Sequence, residues 1–175
     1  MDTENYKLSY PIGEFSAPKK ITFNQINDWI KDITQLPEQL EQILAKLDTE
    51  RLNKPYRPNG WTGHQVVHHI TDSHMNAFIR FSLTLTEDTP SIRPYLQDKW
   101  MNLSYINNTP IQLSVDLIRN LHARWSILLS SLTTSDWERK YFHPEYNYTI
   151  PLKEVVGLYA WHGKHHVKHL ELLLK

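Results

Sequence analysis

The chain contains no cysteine, only five glycines among its 175 residues, and no surplus of either charge, with 19 basic and 19 acidic side chains. The first absence removes disulfides, cysteine zinc sites, iron–sulfur clusters and thiol nucleophiles, so any metal must be held by His, Asp, Glu or water. Balanced charge without a basic block leaves no electrostatic footprint for nucleic acid. No stretch approaches the eighteen or more apolar residues of a membrane span, and residues 1–5 lack the basic and apolar regions of a secretory signal. The chain is therefore expected to be cytoplasmic, with no membrane partner. Its length suits one domain with a sizeable core, expected over residues 1–175.

What the chain has instead is histidine, ten in all, and aromatic residues, with six Trp and nine Tyr. Four of the histidines lie between Tyr159 and Leu170, inside a run from Leu152 to Lys175 that reads as the last helix. His162, His166 and His169 fall at offsets of four and three, so they stand above one another on one helical face. That face also carries Val155, Tyr159 and Leu173 and would ordinarily be buried. Imidazoles there need either hydrogen bonds at both ring nitrogens or a metal. A pair four apart, His162 and His166, can aim one nitrogen each at a common point. No Glu follows His162, so the zinc-protease motif is absent, and with two ligands alone a structural or surface role stays open.

Elsewhere the periodicity predicts three more long helices. Signals begin near Thr22, with Ile26, Trp29, Ile30 and Ile33 at helical spacing, and a second stretch places Leu40, Ile43, Leu44 and Leu47 on one face. Pro37 between them predicts one broken helix or two short ones in line. Thr62 followed by Gln65 has the spacing of a capping box and opens a helix to about Leu83 or Leu85. The third helix, from about Ile111 to Leu132, is expected to turn Leu113, Leu117, Leu121, Trp125 and Leu128 or Leu129 inward, with Arg119, His122 and Arg124 on other faces. Between the last two lies a predicted small hairpin or extended excursion over 139–151. Tyr10–Pro18 should form an extended arm, and the aromatic loop 87–110 a lid or pocket wall.

The second helix carries a polar stripe, His69, Ser73, Asn76 and Arg80, which reads equally as a solvated face. It starts beside the doublet His68-His69 in an apolar turn, so at least one of these rings must point inward. Four long helices with almost no strand signal favour an all-α four-helix bundle, a fold whose facing helices combine side chains into metal sites. His69 with His162 and His166 would make a three-histidine set that keeps a coordination position open.

Taken together, Tyr10-Pro11-Ile12-Gly13-Glu14, Gly60-Trp61-Thr62, Gln65-Val66-Val67-His68-His69, Asp72-Ser73-His74-Met75-Asn76, Arg80-Phe81, Leu85-Thr86-Glu87, Ile92-Arg93-Pro94-Tyr95, His143-Pro144, Gly157-Leu158-Tyr159 and Trp161-His162 resemble the DinB/YfiT-like superfamily of metal-binding bundles. The match is nearest its YfiT branch, also described as bacillithiol S-transferases and, by an older label, as metal-dependent hydrolases. The resemblance covers nearly the whole chain. It implies an up-down-down-up bundle with long loops and a divalent metal, zinc or nickel, on His69, His162 and His166. His68, His74, His165 and His169 are then left to support, pack or lie at the surface. It further implies activation of a small nucleophile, a low-molecular-weight thiol such as bacillithiol or else water, with an electrophile as second substrate. A homodimer is also implied. Asn76, Arg80 and Arg93 are candidates to contact an anionic substrate group, since guanidinium suits carboxylates, and salt bridging is their competing role. No catalytic side chain beyond the metal-activated nucleophile is assigned. A non-catalytic metal or small-molecule binding dimer is the alternative from a different class.

Overall fold

Capping boxes open two of the long helices in a computed structural model that describes residues 3–175; the Met1-Asp2 part of the signal reading lies outside them. In order, the chain forms α1 (Thr3–Ser9), α2 (Phe23–Leu44), α3 (Thr49–Leu52), α4 (Gly63–Thr86), α5 (Gln97–Met101), a 3-10 turn (Ile106–Asn108), α6 (Ile111–Ser131), α7 (Thr134–Glu138), β1 (Lys140–His143), β2 (Tyr148–Pro151) and α8 (Leu152–Leu172). Thr22 and Thr62 each accept from the amide three residues on, at Gln25 and Gln65, whose side chains return to the threonine amides. Two otherwise orphaned donors are satisfied at each start.

Pairwise contacts fix the directions of α2, α4, α6 and α8. Trp29 meets Gly157 and Leu36 meets Gly163, so α2 and α8 run parallel. Thr34 bonds Ser126 while Glu41 pairs with Arg119, so α6 runs against α2. Thr71 bonds the Ser114 carbonyl and Phe81 packs edge-on against Trp125, so α4 runs with α6. Gly63 lies at Leu173 and His74 at Tyr159, so α4 opposes α8. The result is an up-down-down-up four-helix bundle with a small hairpin attached.

Three local expectations are corrected. Pro37 does not break α2: the helix continues through it, with Leu36, Pro37 and Leu40 all buried. A helix survives an internal proline when the carbonyl left without its amide finds another donor, and here that donor is His122. On α6 the buried face is Val115, Ile118, His122, Trp125 and Leu129, whereas Leu113 and Leu117 are exposed. Leucines spaced strictly by four drift about 40° per step around a 3.6-residue helix, while the observed spacing alternates three and four. His122, placed on an outer face by the sequence, is therefore in the core. Loop 87–110 holds α5 and the 3-10 turn.

The hairpin forms as expected. Tyr141 pairs with Ile150 across an antiparallel ladder, and Asn147 takes a left-handed φ of 56° at the turn, a conformation Asn tolerates. Two backbone bonds, Ile92 N–H to the Phe142 carbonyl and Phe142 N–H to the Pro90 carbonyl, lash the start of the aromatic loop to β1. Arg139 donates to the Thr84 and Glu87 carbonyls at the end of α4. The arm after α1 crosses α8, where the Trp161 indole donates to the Gly13 carbonyl.

Candidate metal centre

α4 and α8 run antiparallel side by side, so His69 faces the turn of α8 that carries His162 and His166. Each of the three offers a ring nitrogen, and these nitrogens lie within 4.8 Å of one another. The His69 and His162 Nε2 atoms are 3.2 Å apart. That spacing is compatible with both nitrogens lying at ordinary metal–imidazole distances, about 2.0–2.1 Å, from one ion. His69 and His166 are buried and His162 partly so. Burial lowers the His69 pKa to about 3 and those of His162 and His166 well below the usual value. All three rings are accordingly neutral near pH 7, the form that ligates a metal. Geometry, protonation and donor type thus fit a divalent ion; a second trio, His165, His166 and His169, shares His166 and also lies within reach of one point.

The doublet is now separated. His68 donates from Nε2 to the Thr109 carbonyl and accepts the Ser114 hydroxyl at Nδ1, which satisfies both nitrogens and leaves it a packing role. His69 Nδ1 has no hydrogen-bond partner among the described residues, and its ring centre lies 4.5 Å from that of Trp61.

Two cavities meet at His162. The larger, about 530 Å³, is walled by Arg80, Tyr95, Tyr141, His143, Tyr146 and Tyr159. The other, about 360 Å³, is walled by Tyr10, Tyr56, Arg57, Trp61, His165 and His169 and also reaches His69 and His166. Gln97 and Asp98, on α5, border both. The loop expected to wall a pocket does so, and Gln65 anchors it by donating to the Met101 carbonyl.

The remaining candidates, Asn76, Arg80 and Arg93, are scattered. Arg80 lines the larger cavity and donates to the Arg93 carbonyl at 3.3 Å. Arg93 itself is exposed and contributes that carbonyl. Asn76 turns its amide back onto the Asp72 carbonyl of its own helix. Burial raises the Asp72 carboxyl to about 6. Sequence reasoning misses Tyr141 and His143 of β1, which line the larger cavity, and His122, whose ring hydrogen-bonds at 2.9 Å to that of His74, a histidine already expected to support, pack or lie at the surface. For the two histidines residue type is the only signal, and a leucine-based phase of α6 puts His122 outside the core.

The sequence signature of the DinB superfamily matches residues 32–170. A Bacillus cereus protein named "Putative metal-dependent hydrolase" is 46% identical over 168 residues, covering 96% of either chain. A like-named protein of Oceanobacillus iheyensis is 47% identical over 166 residues, covering 95% of each. Among solved structures, YfiT from Bacillus subtilis superposes with a TM-score of 0.93 at 42% identity, covering 95% of both chains; it is described as "a probable metal-dependent hydrolase with an unusual four-helix bundle topology". A mycothiol-dependent maleylpyruvate isomerase shares the fold, with a TM-score of 0.66 at 14% identity over 83% of this chain and 60% of that one. Through a signature spanning most of its length, and through relatives of near-equal size, this chain belongs to the DinB superfamily.

Proposed function

We propose that the protein is a metal-dependent enzyme that activates a small nucleophile at His69, His162 and His166, with zinc as the ion and nickel accommodated by the same donors. The observation carrying this reading is the convergence of three imidazoles where two cavities meet. A divalent ion held there supplies Lewis acidity, lowering the pKa of a thiol or of water so that the anion is available near neutral pH.

Two cavities favour two organic substrates, and hence transfer of a low-molecular-weight thiol, of the bacillithiol type, to an electrophile. Arg80 and the surrounding tyrosines suit an electrophile with an anionic group and an apolar body. The second cavity, with Arg57, Tyr10 and Trp61, suits the thiol cosubstrate. α5 borders both chambers through Gln97 and Asp98. Hydrolysis is the second reading, favoured by the name the relatives carry; it uses the same three ligands and needs one chamber only.

Elemental analysis of protein purified without chelator, followed by a screen of thiols against electrophiles, tests the reading. About one metal ion per chain and metal-dependent conjugation are expected, with conjugation lost in folded His162→Ala. Wild-type conjugation by that variant would overturn the site. Stoichiometric metal with no turnover of any kind would instead favour a binding module.

A further inference from the structure

Two of the three ligating histidines stand at the end of hydrogen-bond chains that start on backbone carbonyls. Pro37 has no N–H, so the Ile33 carbonyl four residues earlier lacks its helical donor. His122 Nδ1 approaches that oxygen at 2.5 Å. A carbonyl only accepts, so His122 must carry its proton on Nδ1, and a neutral imidazole then has a bare Nε2. That Nε2 lies 2.9 Å from His74 Nδ1, which must donate. His74 Nε2 is in turn bare and lies 3.1 Å from His162 Nδ1, which donates to it. His162 is left with a bare Nε2 beside that of His69.

The second chain is built the same way from a different element. His169 Nε2 donates to the Ser9 carbonyl at the end of α1, at 3.1 Å. Its Nδ1 is bare and stands 3.2 Å from His166 Nδ1, which donates. His166 too is left with a bare Nε2. His74, His122, His166 and His169 are buried and His162 partly so, each against another imidazole, and a second proton on any of them would leave a charge with no acidic partner among the described residues.

We propose that these chains, Ile33 carbonyl to His122 to His74 to His162 and Ser9 carbonyl to His169 to His166, preset both α8 ligands with Nδ1 protonated and Nε2 unprotonated toward the metal. His74, His122 and His169 are thus positioning residues, and Pro37 has the specific task of freeing the carbonyl that starts the longer chain. A ligand whose proton is already placed loses no free energy to tautomer change or ring rotation when the ion arrives. The proposal rests on the metal reading above, but its first readout does not require a metal.

The test uses the full chain labelled with 15N-histidine and made metal-free with chelator. Long-range proton–nitrogen correlation spectra report which ring nitrogen of each histidine carries the proton. His74, His122, His162 and His166 should be protonated on Nδ1 and His169 on Nε2. His162 protonated on Nε2, or His169 on Nδ1, would overturn the proposal. Zinc affinity gives the second readout. His122→Phe keeps the ring volume but removes the acceptor for His74, and should return His74 and His162 to mixed tautomers and weaken zinc about 10–100-fold. His122→Gln, whose amide oxygen can accept in place of Nε2, should recover most of that loss. A folded His122→Phe with wild-type tautomers and zinc affinity would sink the idea, and if that variant does not fold, the wild-type spectra and His122→Gln decide. Wild-type protein that shows the stated tautomers but binds no zinc would uphold the chains and remove the metal reading.

Discussion

Gly157 of α8 lies against the Trp29 indole, close enough that a methyl group on it would stand 2.9–3.0 Å from three ring carbons. The missing side chain lets α2 and α8 approach closely, one turn below the stretch that presents His162. Gly157→Ala is expected to destabilise the protein by about 1–2 kcal/mol: a rigid ring must move, and this outweighs a helix-propensity gain of up to about 1 kcal/mol. Gly163→Ala should cost less, because its new methyl meets the ends of the Leu36 side chain, which can rotate. Urea midpoints of the two variants check the ranking; equal losses, or a more stable Gly157→Ala, would contradict the packing argument.

Stability of the metal-free protein should fall on acidification below about pH 6.5. Burial holds His69 down to about 3 and His68 and His122 down to about 4, whereas the unfolded chain protonates them near 6.5. Between those values the unfolded state binds more protons, so stability present above 6.5 is lost as the pH drops toward 4, at up to about 1.4 kcal/mol per pH unit for each group. Asp72 works the other way: raised from 3.8 to about 6, it contributes stability that is lost as the pH rises through that window. One carboxyl does not offset three histidines. Thermal midpoints at pH 7.5 and pH 5 give the sign, and an unchanged or higher midpoint at pH 5 would mean that these rings are not held neutral.

Sequence patterns located the long helices because their starts are chemically explicit. Thr62 with Gln65 announces α4 to the residue, and the 162/166 spacing places two imidazoles on one face whatever α8 packs against. What stayed hidden depends on contacts between helices. Pro37 looks like a break until His122 of α6, 85 positions later in the chain, is seen to take the place of its missing amide. Leucine spacing predicts the wrong phase for α6, because His122 occupies a core position and Leu113 faces outward. His68 and His69, adjacent and on neighbouring faces of one helix, are told apart only by what α6 and α8 offer each of them.

Arg80 should govern binding of an anionic electrophile rather than the chemical step. It lines the larger cavity but is not among the three converging histidines. Arg80→Met keeps the length of the stem and removes the charge. Loss of one charge-assisted hydrogen bond, about 1.5–3 kcal/mol, predicts a KM raised roughly 10–100-fold for a carboxylate-bearing electrophile, with kcat and the KM of a neutral analogue nearly unchanged. A fall in kcat with unaltered KM would place Arg80 in the chemistry itself.

The adjacent histidines of α4 provide a paired test of the site. Zinc present at about 100 times its Kd should stabilise the fold by about 2.7 kcal/mol. For a chain of this size that is a rise of roughly 5–10 °C in Tm, reversed by chelator. His69→Ala removes one of the three converging imidazoles proposed as ligands and should abolish most of the zinc-dependent rise. His68→Ala breaks the bonds to Thr109 and Ser114 and leaves a cavity between α4 and α6, so its metal-free Tm should be the lower of the two. Its rise with zinc should nevertheless remain, since Nε2 of His69 still faces His162. The two variants therefore separate in opposite senses, one losing the response to metal and the other losing basal stability. If His68→Ala loses the zinc response while His69→Ala keeps it, the ion is held by a different set of rings from the one that converges between α4 and α8.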